Sequence, residues 1–193
     1  MANKVKYGLE SAYYAVATFA TDGTVTYSSP VALPGSVSIS FDPQGETTTF
    51  RADNIDYWVG QNNNGYQGDY EIAQLPDAFR KDVFKEATDA NGLLVETVQN
   101  DAVHFAFLFQ CQGDKNAVRH VLYNCTAQRA AVSGSTTEDT INPETETVQI
   151  TAHPITFSTQ QNPVIKAKAE NATASTAYAA WFTAVQTPGA PAT

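Results

Sequence analysis

The chain has 193 residues, of which 42% are hydrophobic and 11% aromatic, and it carries 20 acidic against 11 basic side chains for a formal charge of −9. That apolar content is enough for the core of one domain and excludes global disorder. The acidic balance argues against phosphate recognition by clustered Lys and Arg and against docking on an anionic membrane. It suits either ordinary solubility or a surface that nucleic acid must pass without sticking.

No stretch approaches the roughly 18 apolar residues of a membrane span. The opening Met1-Ala2-Asn3-Lys4-Val5-Lys6 lacks the apolar region of a signal peptide, so the chain is expected to be made and kept in a cytoplasm. Phe and Tyr (10 and 9) far outnumber Trp (2), and with many Thr and Val they favour strands over helices.

In chain order, residues 11–19 read as a strand, Asp22-Gly23 as a hairpin signal and Thr24 to Tyr27 as the returning strand. Pro30 and Pro34-Gly35 punctuate a loop. Val37, Ile39 and Phe41 then alternate with Ser36, Ser38 and Ser40, the pattern of a half-buried strand. Glu46 to Arg51 and Gly68 to Leu75 are two further strands. Between them, residues 53–66 are aromatic at one end and Asn/Gly-rich at the other. Two readings fit: another strand plus a turn, or a projecting hairpin loop whose Tyr57, Trp58 and Tyr66 meet a neighbouring subunit.

Leu75-Pro76-Asp77 starts a helix, with Pro and Asp suited to its first turn. Phe79, Val83 and Phe84 form its apolar stripe. Asn91-Gly92 ends the next loop, and Leu93 to Val98 reads as a strand. In the following strand Val103, Phe105, Phe107, Phe109 and Cys111 share one face, and Ala106 and Leu108 make the other face partly apolar. This strand is therefore expected to be central and covered on both sides. Asn116 to Ala131 returns beside it, with Val121 and Tyr123 on one face and Leu122 on the other. A polar loop over 134–146 leads to a strand from Thr147 to Ala152. Tyr178, Trp181, Phe182 and Val185 predict a short C-terminal amphipathic helix, with Ser175 or Thr176 as N-cap. Residues 187–193 read as a mobile tail.

Cys111 and Cys125 flank a turn expected at Gly113-Asp114-Lys115-Asn116. Simple hairpin register sets Cys111 opposite Val118 and Cys125 opposite His104, with the thiols about 20 Å apart at about 3.3 Å per residue. No disulfide is expected. His104 with Cys125 is a weak thiol–imidazole pair without a third group.

The chain holds no Gly-x-Ser-x-Gly elbow, phosphate loop or dinucleotide fingerprint. His104, His120 and His153 lack metal-ligand spacing, and Thr137-Glu138-Asp139 lacks that of a calcium loop. The sequons Asn124-Cys125-Thr126 and Asn171-Ala172-Thr173 have no meaning without secretion. The acids Asp53, Asp56, Asp69, Glu71 and Asp77 read as solvated strand faces. No catalytic residue, metal site or cofactor is expected, and the chain does not read as an enzyme.

Ala2-Asn3-Lys4-Val5-Lys6-Tyr7-Gly8-Leu9 is followed by Tyr13-Tyr14-Ala15-Val16, and Pro34-Gly35-Ser36-Val37-Ser38-Ile39-Ser40 by Gly45-Glu46-Thr47-Thr48. Next come residues 63–73, Leu75-Pro76-Asp77-Ala78-Phe79-Arg80, Leu122-Tyr123-Asn124-Cys125-Thr126 and Thr145-Glu146-Thr147-Val148. Taken in order, these segments resemble the major tail proteins of long-tailed bacteriophages with non-contractile tails. Ending at Thr193, the chain is not expected to carry the C-terminal immunoglobulin-like domain of larger members.

The resemblance implies a mainly β, sandwich or barrel-like tail tube fold with one flanking α-helix and a short C-terminal helix. It implies a single domain over 1–186 with an N-terminal arm and a projecting loop at about 53–66. Six copies would form a ring, and stacked rings a tube through which genomic DNA leaves without specific binding. Partners would be further copies and other tail proteins such as the tape measure, tail terminator and distal tail proteins, with no membrane. The chain would sit in the virion tail, after assembly in the host cytoplasm. On this basis Glu46, Asp53, Asp69 and Glu71 are the candidate lumen acids, and Ile55, Tyr57, Trp58, Asn62, Asn63, Asn64 and Tyr66 the candidate inter-subunit loop. The alternatives are a carbohydrate-binding β-sandwich stacking sugars on Tyr57, Trp58 and Tyr66, or another self-assembling virion surface protein.

Overall fold

The computed structural model describes residues 8–98, 102–111, 118–134, 136, 143–171 and 173–189. The expected turn at 113–116, the tract 137–139, the opening residues 1–7, Ala172 of the second sequon and the end of the tail from 190 lie outside the described residues.

The chain begins with β1 (Leu9–Phe19), β2 (Val25–Tyr27), β3 (Val31–Ala32) and β4 (Ser36–Gln44). A two-stranded ribbon follows, β5 (Thr47–Ala52) and β6 (Ile55–Gln61), and then β7 (Gly65–Ile72). Helix α1 (Asp77–Val83) leads into the small hairpin β8 (Ala87–Thr88) and β9 (Leu94–Val95). Strands β10 (Phe105–Cys111), β11 (Arg119–Ala127), β12 (Glu146–Ala152) and β13 (Lys166–Ala169) precede α2 (Ser175–Ala180). The protein is mainly β, as its aromatic and β-branched content requires.

One antiparallel sheet runs β2-β1-β10-β11-β12-β7-β4, with β13 joining β11 and β3 joining β1. The corner Leu33-Pro34-Gly35 separates β3, paired with β1, from β4, paired with β7 at the far end of the sheet. The sheet therefore curls until its two ends meet, giving a barrel-like layout. Its interior holds Tyr14, Tyr70, Ile72, Phe105, Phe107, Val148 and Ile150, together with Phe79 and Val83 of α1. Phe79 sits edge-on to Tyr14, Phe84 and Phe105. The stripe on α1 is thus the side of the helix that enters the barrel.

The second face of β10 and β11 is apolar for a separate reason. Ala106, Leu108, Val121 and Tyr123 are covered by Ile155, Phe157 and Trp181 from the C-terminal segment. Arg119 fastens this cover, lying 3.8 Å over the Tyr178 ring and 4.7 Å over Phe182, while Tyr13 stacks on Phe182. Strand β10 is central and covered on both sides, as its sequence predicts.

The structure departs from the sequence-based expectations at several points. The strand expected over 93–98 contracts to Leu94–Val95, because the Asp89 carboxylate accepts the Asn91 and Leu93 N–H groups and folds the segment into a tight hairpin. Helix α2 is capped at Ala174, with no side-chain cap from Ser175 or Thr176, and it ends before Trp181. Val37 is exposed although Ile39 and Phe41 pack on the core, because the β4–β7 register shifts between Ser36 and Ser38. Register between β10 and β11 follows the simple hairpin from Gln110↔Arg119 to Phe107↔Leu122. An irregularity then sets Cys125 opposite Phe105 instead of His104.

The thiol–imidazole pair therefore does not form. His104 Nδ1 lies 2.6 Å from Asn124 Oδ1, and burial pushes the Cys125 thiol well above its ordinary value. Both cysteines are free.

Candidate assembly surface

Strands β4 and β7 pair up to Gln44↔Gly65, and the ladder then continues beyond the sheet. Asn64 N–H donates to Gln44 O at 2.8 Å and Asn62 N–H to Glu46 O at 3.0 Å. The backbone bends there because two glycines admit close approach: a Cβ on Gly45 would lie 2.0 Å from Asn62 O, and one on Gly65 1.9 Å from Ala152 O. Past the bend, β5 and β6 form a ribbon of their own, closed by Asp53 and Asn54 at φ 52° and 63°. Two successive positive φ values make the tight turn whose twist matches a hairpin, and Asp and Asn are among the few residues that tolerate them.

Every ribbon residue except Ala52 and Gly60 is exposed. Phe50 faces Trp58 across the strands, and the two are 60% and 56% exposed. Ile55, Tyr57 and Val59 stand out equally far. The Trp58 ring folds over Gly60, where an added Cβ would meet it at 2.1 Å. The Arg51–Asp56 ion pair at 3.2 Å is solvent-exposed and contributes little. A lone two-stranded hairpin is marginal in water, and this one leaves apolar side chains exposed on both faces, Phe50 with Trp58 on one and Tyr57 with Val59 on the other.

A second surface lies on the outward side of β4, β7 and β12. Inward residues alternate with an outward polar row: Ser38, Ser40 and Asp42 on β4, Gln67, Asp69 and Glu71 on β7, and Thr147, Gln149 and Thr151 on β12. These rows are cross-strand neighbours, with Asp69 between Ser40 and Gln149 and Glu71 between Ser38 and Thr147. None of the three strands contains a Lys or Arg. Glu71 accepts hydrogen bonds from Thr145 Oγ1 (2.6 Å) and Ser38 Oγ (2.8 Å), and these hold its carboxyl below the usual glutamate range. Strand β4 is also an end strand of the sheet order, paired along β7 on one side.

The sequence-predicted residues divide between these surfaces. Asp69 and Glu71 share the polar face, whereas Glu46 lies at the root of the ribbon and Asp53 at its tip. Ile55, Tyr57 and Trp58 lie on β6, and Asn62, Asn63 and Asn64 form the root. Tyr66 is separate: it starts the inward row of β7 and lines a cleft of about 370 Å³ with Phe41, Phe109 and Lys166, whose Nζ lies 4.1 Å over its ring.

Sequence reading missed Phe50 and Val59. The Asp53-Asn54 pair was the available signal, since it marks a turn and makes the flanking segments one hairpin. His104 and His153 approach with ring centroids 6.5 Å apart. Burial, and then His104, holds His153 below the ordinary histidine value. Among the described residues no group of three or more His, Cys, Asp or Glu is arranged to hold a metal, and no helix is long and apolar enough to cross a membrane.

The model of a family described as phage tail tube protein matches residues 2–190. No curated protein matches the chain.

Proposed function

The chain belongs to the phage tail tube protein family, and from that premise we propose that its copies form six-membered rings that stack into a conduit for DNA ejection. It is a structural component of the virion tail that self-assembles into a tube. In our reading the outward face of β4, β7 and β12 lines the lumen, with Asp69 and Glu71 as its fixed negative charges. The observation that carries this reading is the lack of any Lys or Arg on those three strands. A wall that presents hydroxyls, amides and carboxylates repels phosphate and offers it no ion pair, so DNA slides through without being held.

Residues 1–186 act as one tube domain with an N-terminal arm, and the ribbon carries Glu46 and Asp53 toward a neighbouring copy. The tape measure occupies the lumen before DNA, and the terminator and distal tail proteins meet the two tube ends. Assembly takes place in the host cytoplasm, and no catalytic step is involved. Against the sugar-binding alternative, Tyr66 lies under Lys166 and lines the cleft with Phe41 and Phe109, unlike the exposed Tyr57 and Trp58.

Electron microscopy of the purified chain tests the proposal. Rings or tubes with a central channel are expected, with Asp69 and Glu71 on the channel wall in a reconstruction. Particles without a channel, or tubes with that face outermost, would overturn it.

A further inference from the structure

Two of the three histidines meet at the end of the ladder from which the ribbon departs. His104 stands just before β10 and His153 just after β12, with ring centroids 6.5 Å apart. Both are tied to Asn124 of β11, a buried residue. His153 N–H donates to the Asn124 carbonyl at 2.7 Å. The Asn124 side-chain amide donates through Nδ2 to Pro154 O at 3.4 Å, which turns its Oδ1 toward His104. The neutral His104 ring therefore carries its proton on Nδ1, 2.6 Å from that oxygen. His153 Nε2 lies 3.1 Å from Thr126 Oγ1. The same segment borders the ribbon root: Ala152 opposes Tyr66, and a Cβ on Gly65 would lie 3.6 Å from His153 Cα.

We propose that His104 and His153 form a proton-sensitive joint, closed at neutral pH and parting in mild acid, which then frees the end of β12 and the ribbon root beside it. The joint belongs to the single subunit and works whether or not copies assemble. No carboxylate balances the two rings, since neither is in an ion pair among the described residues. Phe19 of β1 meets His104 edge-on at 5.3 Å, and Asn124 and Thr126 of β11 are uncharged. Cys125 between them belongs to the barrel core, where burial keeps its thiol protonated. On β7, Tyr66 lies under Lys166 in the cleft. A proton on either ring therefore meets no anion and opposes a second proton on the other. Burial, and then His104, holds His153 below the ordinary histidine value. An opened joint, with its imidazoles in water, binds protons more readily than the closed one. The closed form is thus whole above about pH 6.5, the ordinary histidine value, and loses stability as pH falls from there toward the folded value. Glu71, held below the usual glutamate range, stays ionised in mild acid, so the ties it makes are kept.

Hydrogen exchange read by mass spectrometry and imidazole-detected NMR, both on the unassembled full chain, test the joint. Between about pH 7.5 and about pH 5, the range in which histidine titrates, peptides covering 62–66 and 151–155 are expected to exchange severalfold faster than the intrinsic pH dependence predicts. Helix α1, remote from the joint in the chain, is expected to keep its protection. Loss of protection everywhere at once, or nowhere, overturns the proposal. His104→Gln, which takes up no proton, is expected to move the His153 titration upward and to shrink the acid response, and His104→Gln with His153→Gln to abolish it. An acid response of wild-type size in the folded double variant overturns the proposal. Should that variant fail to fold, the wild-type titration decides instead: His153 titrating at or above the ordinary histidine value overturns it as well.

Discussion

Replacing Trp58 by Ala separates folding from assembly. Trp58 is 56% exposed in the single subunit, and its buried part rests on Gly60 within a ribbon that is itself exposed. Its loss should therefore cost the subunit no more than about 0.5–1 kcal/mol, the range of surface substitutions. If the ribbon is an inter-subunit contact, as proposed, the exposed part is covered in the assembled tube. On a side chain of up to about 250 Å² that is about 140 Å², or about 3.5 kcal/mol at about 25 cal/mol per Å². Ordering costs absorb part of that gain on association, so the expected rise in the critical concentration lies between about tenfold and a few hundredfold at 1.4 kcal/mol per factor of ten. Sedimentation of a concentration series measures the rise, and thermal denaturation of the unpolymerised subunit measures the folding cost. A melting temperature that falls by more than about 8 °C while tubes assemble at the wild-type concentration would refute the reasoning, because the residue would then belong to the core.

Phe79→Ala should do the reverse, removing the ring that meets Tyr14, Phe84 and Phe105. A loss of about 3–5 kcal/mol is expected, read as a lowered denaturant midpoint before any question of assembly. Gly65→Ala places a Cβ 1.9 Å from Ala152 O at a φ of +111°, so poor soluble yield or a ribbon that loses its protection from hydrogen exchange is expected, whereas Gly92→Ala, with open space around it, is milder. Carboxyl-detected NMR should find Glu71 titrating below the usual glutamate range, and Thr145→Ala should move it back up. A folded-state value that is depressed contributes stability above the unfolded value and loses it as pH falls through the folded one, so the β7–β12 and β7–β4 ties through Glu71 should loosen only in acid. Asp69→Lys with Glu71→Lys should leave tubes intact by microscopy and make them retain short DNA in a filter assay at low salt; retention equal to wild type would remove these residues from the lumen.

Period-2 alternation made most of the barrel legible, because each strand has one wet and one dry face. The rows of β7, β12 and β10 follow directly from it, and the apolar second face of β10 announced its cover even though β13 and the chain around Ile155 did not read as strands. Failures came where a register shift changes the phase. Val37 carries the same signal as Ile39, and only the shift near Ser38 turns it outward. Cys125 moved away from His104 for the same reason. The ribbon was half legible. Its aromatics stood out, and the reading of 53–66 as another strand plus a turn matches β6, but neither reading placed the turn at Asp53-Asn54 or paired Phe50 with Trp58.

The charge of the chain then takes on a specific meaning. A formal −9 on every copy opposes stacking, since like-charged subunits repel until salt screens them over about 8 Å. In the proposed tube the acids of the β4–β7–β12 face lie where phosphate passes, while the ribbon offers apolar side chains for contact. The fold separates the two along perpendicular directions: side chains on β4, β7 and β12 alternate across the sheet, which sets a polar face against the core, while the strand axis delivers the ribbon to one end. In that proposed reading, acidic repulsion toward DNA and apolar attraction between copies are set by different residues, so either can be altered by substitution without removing the other.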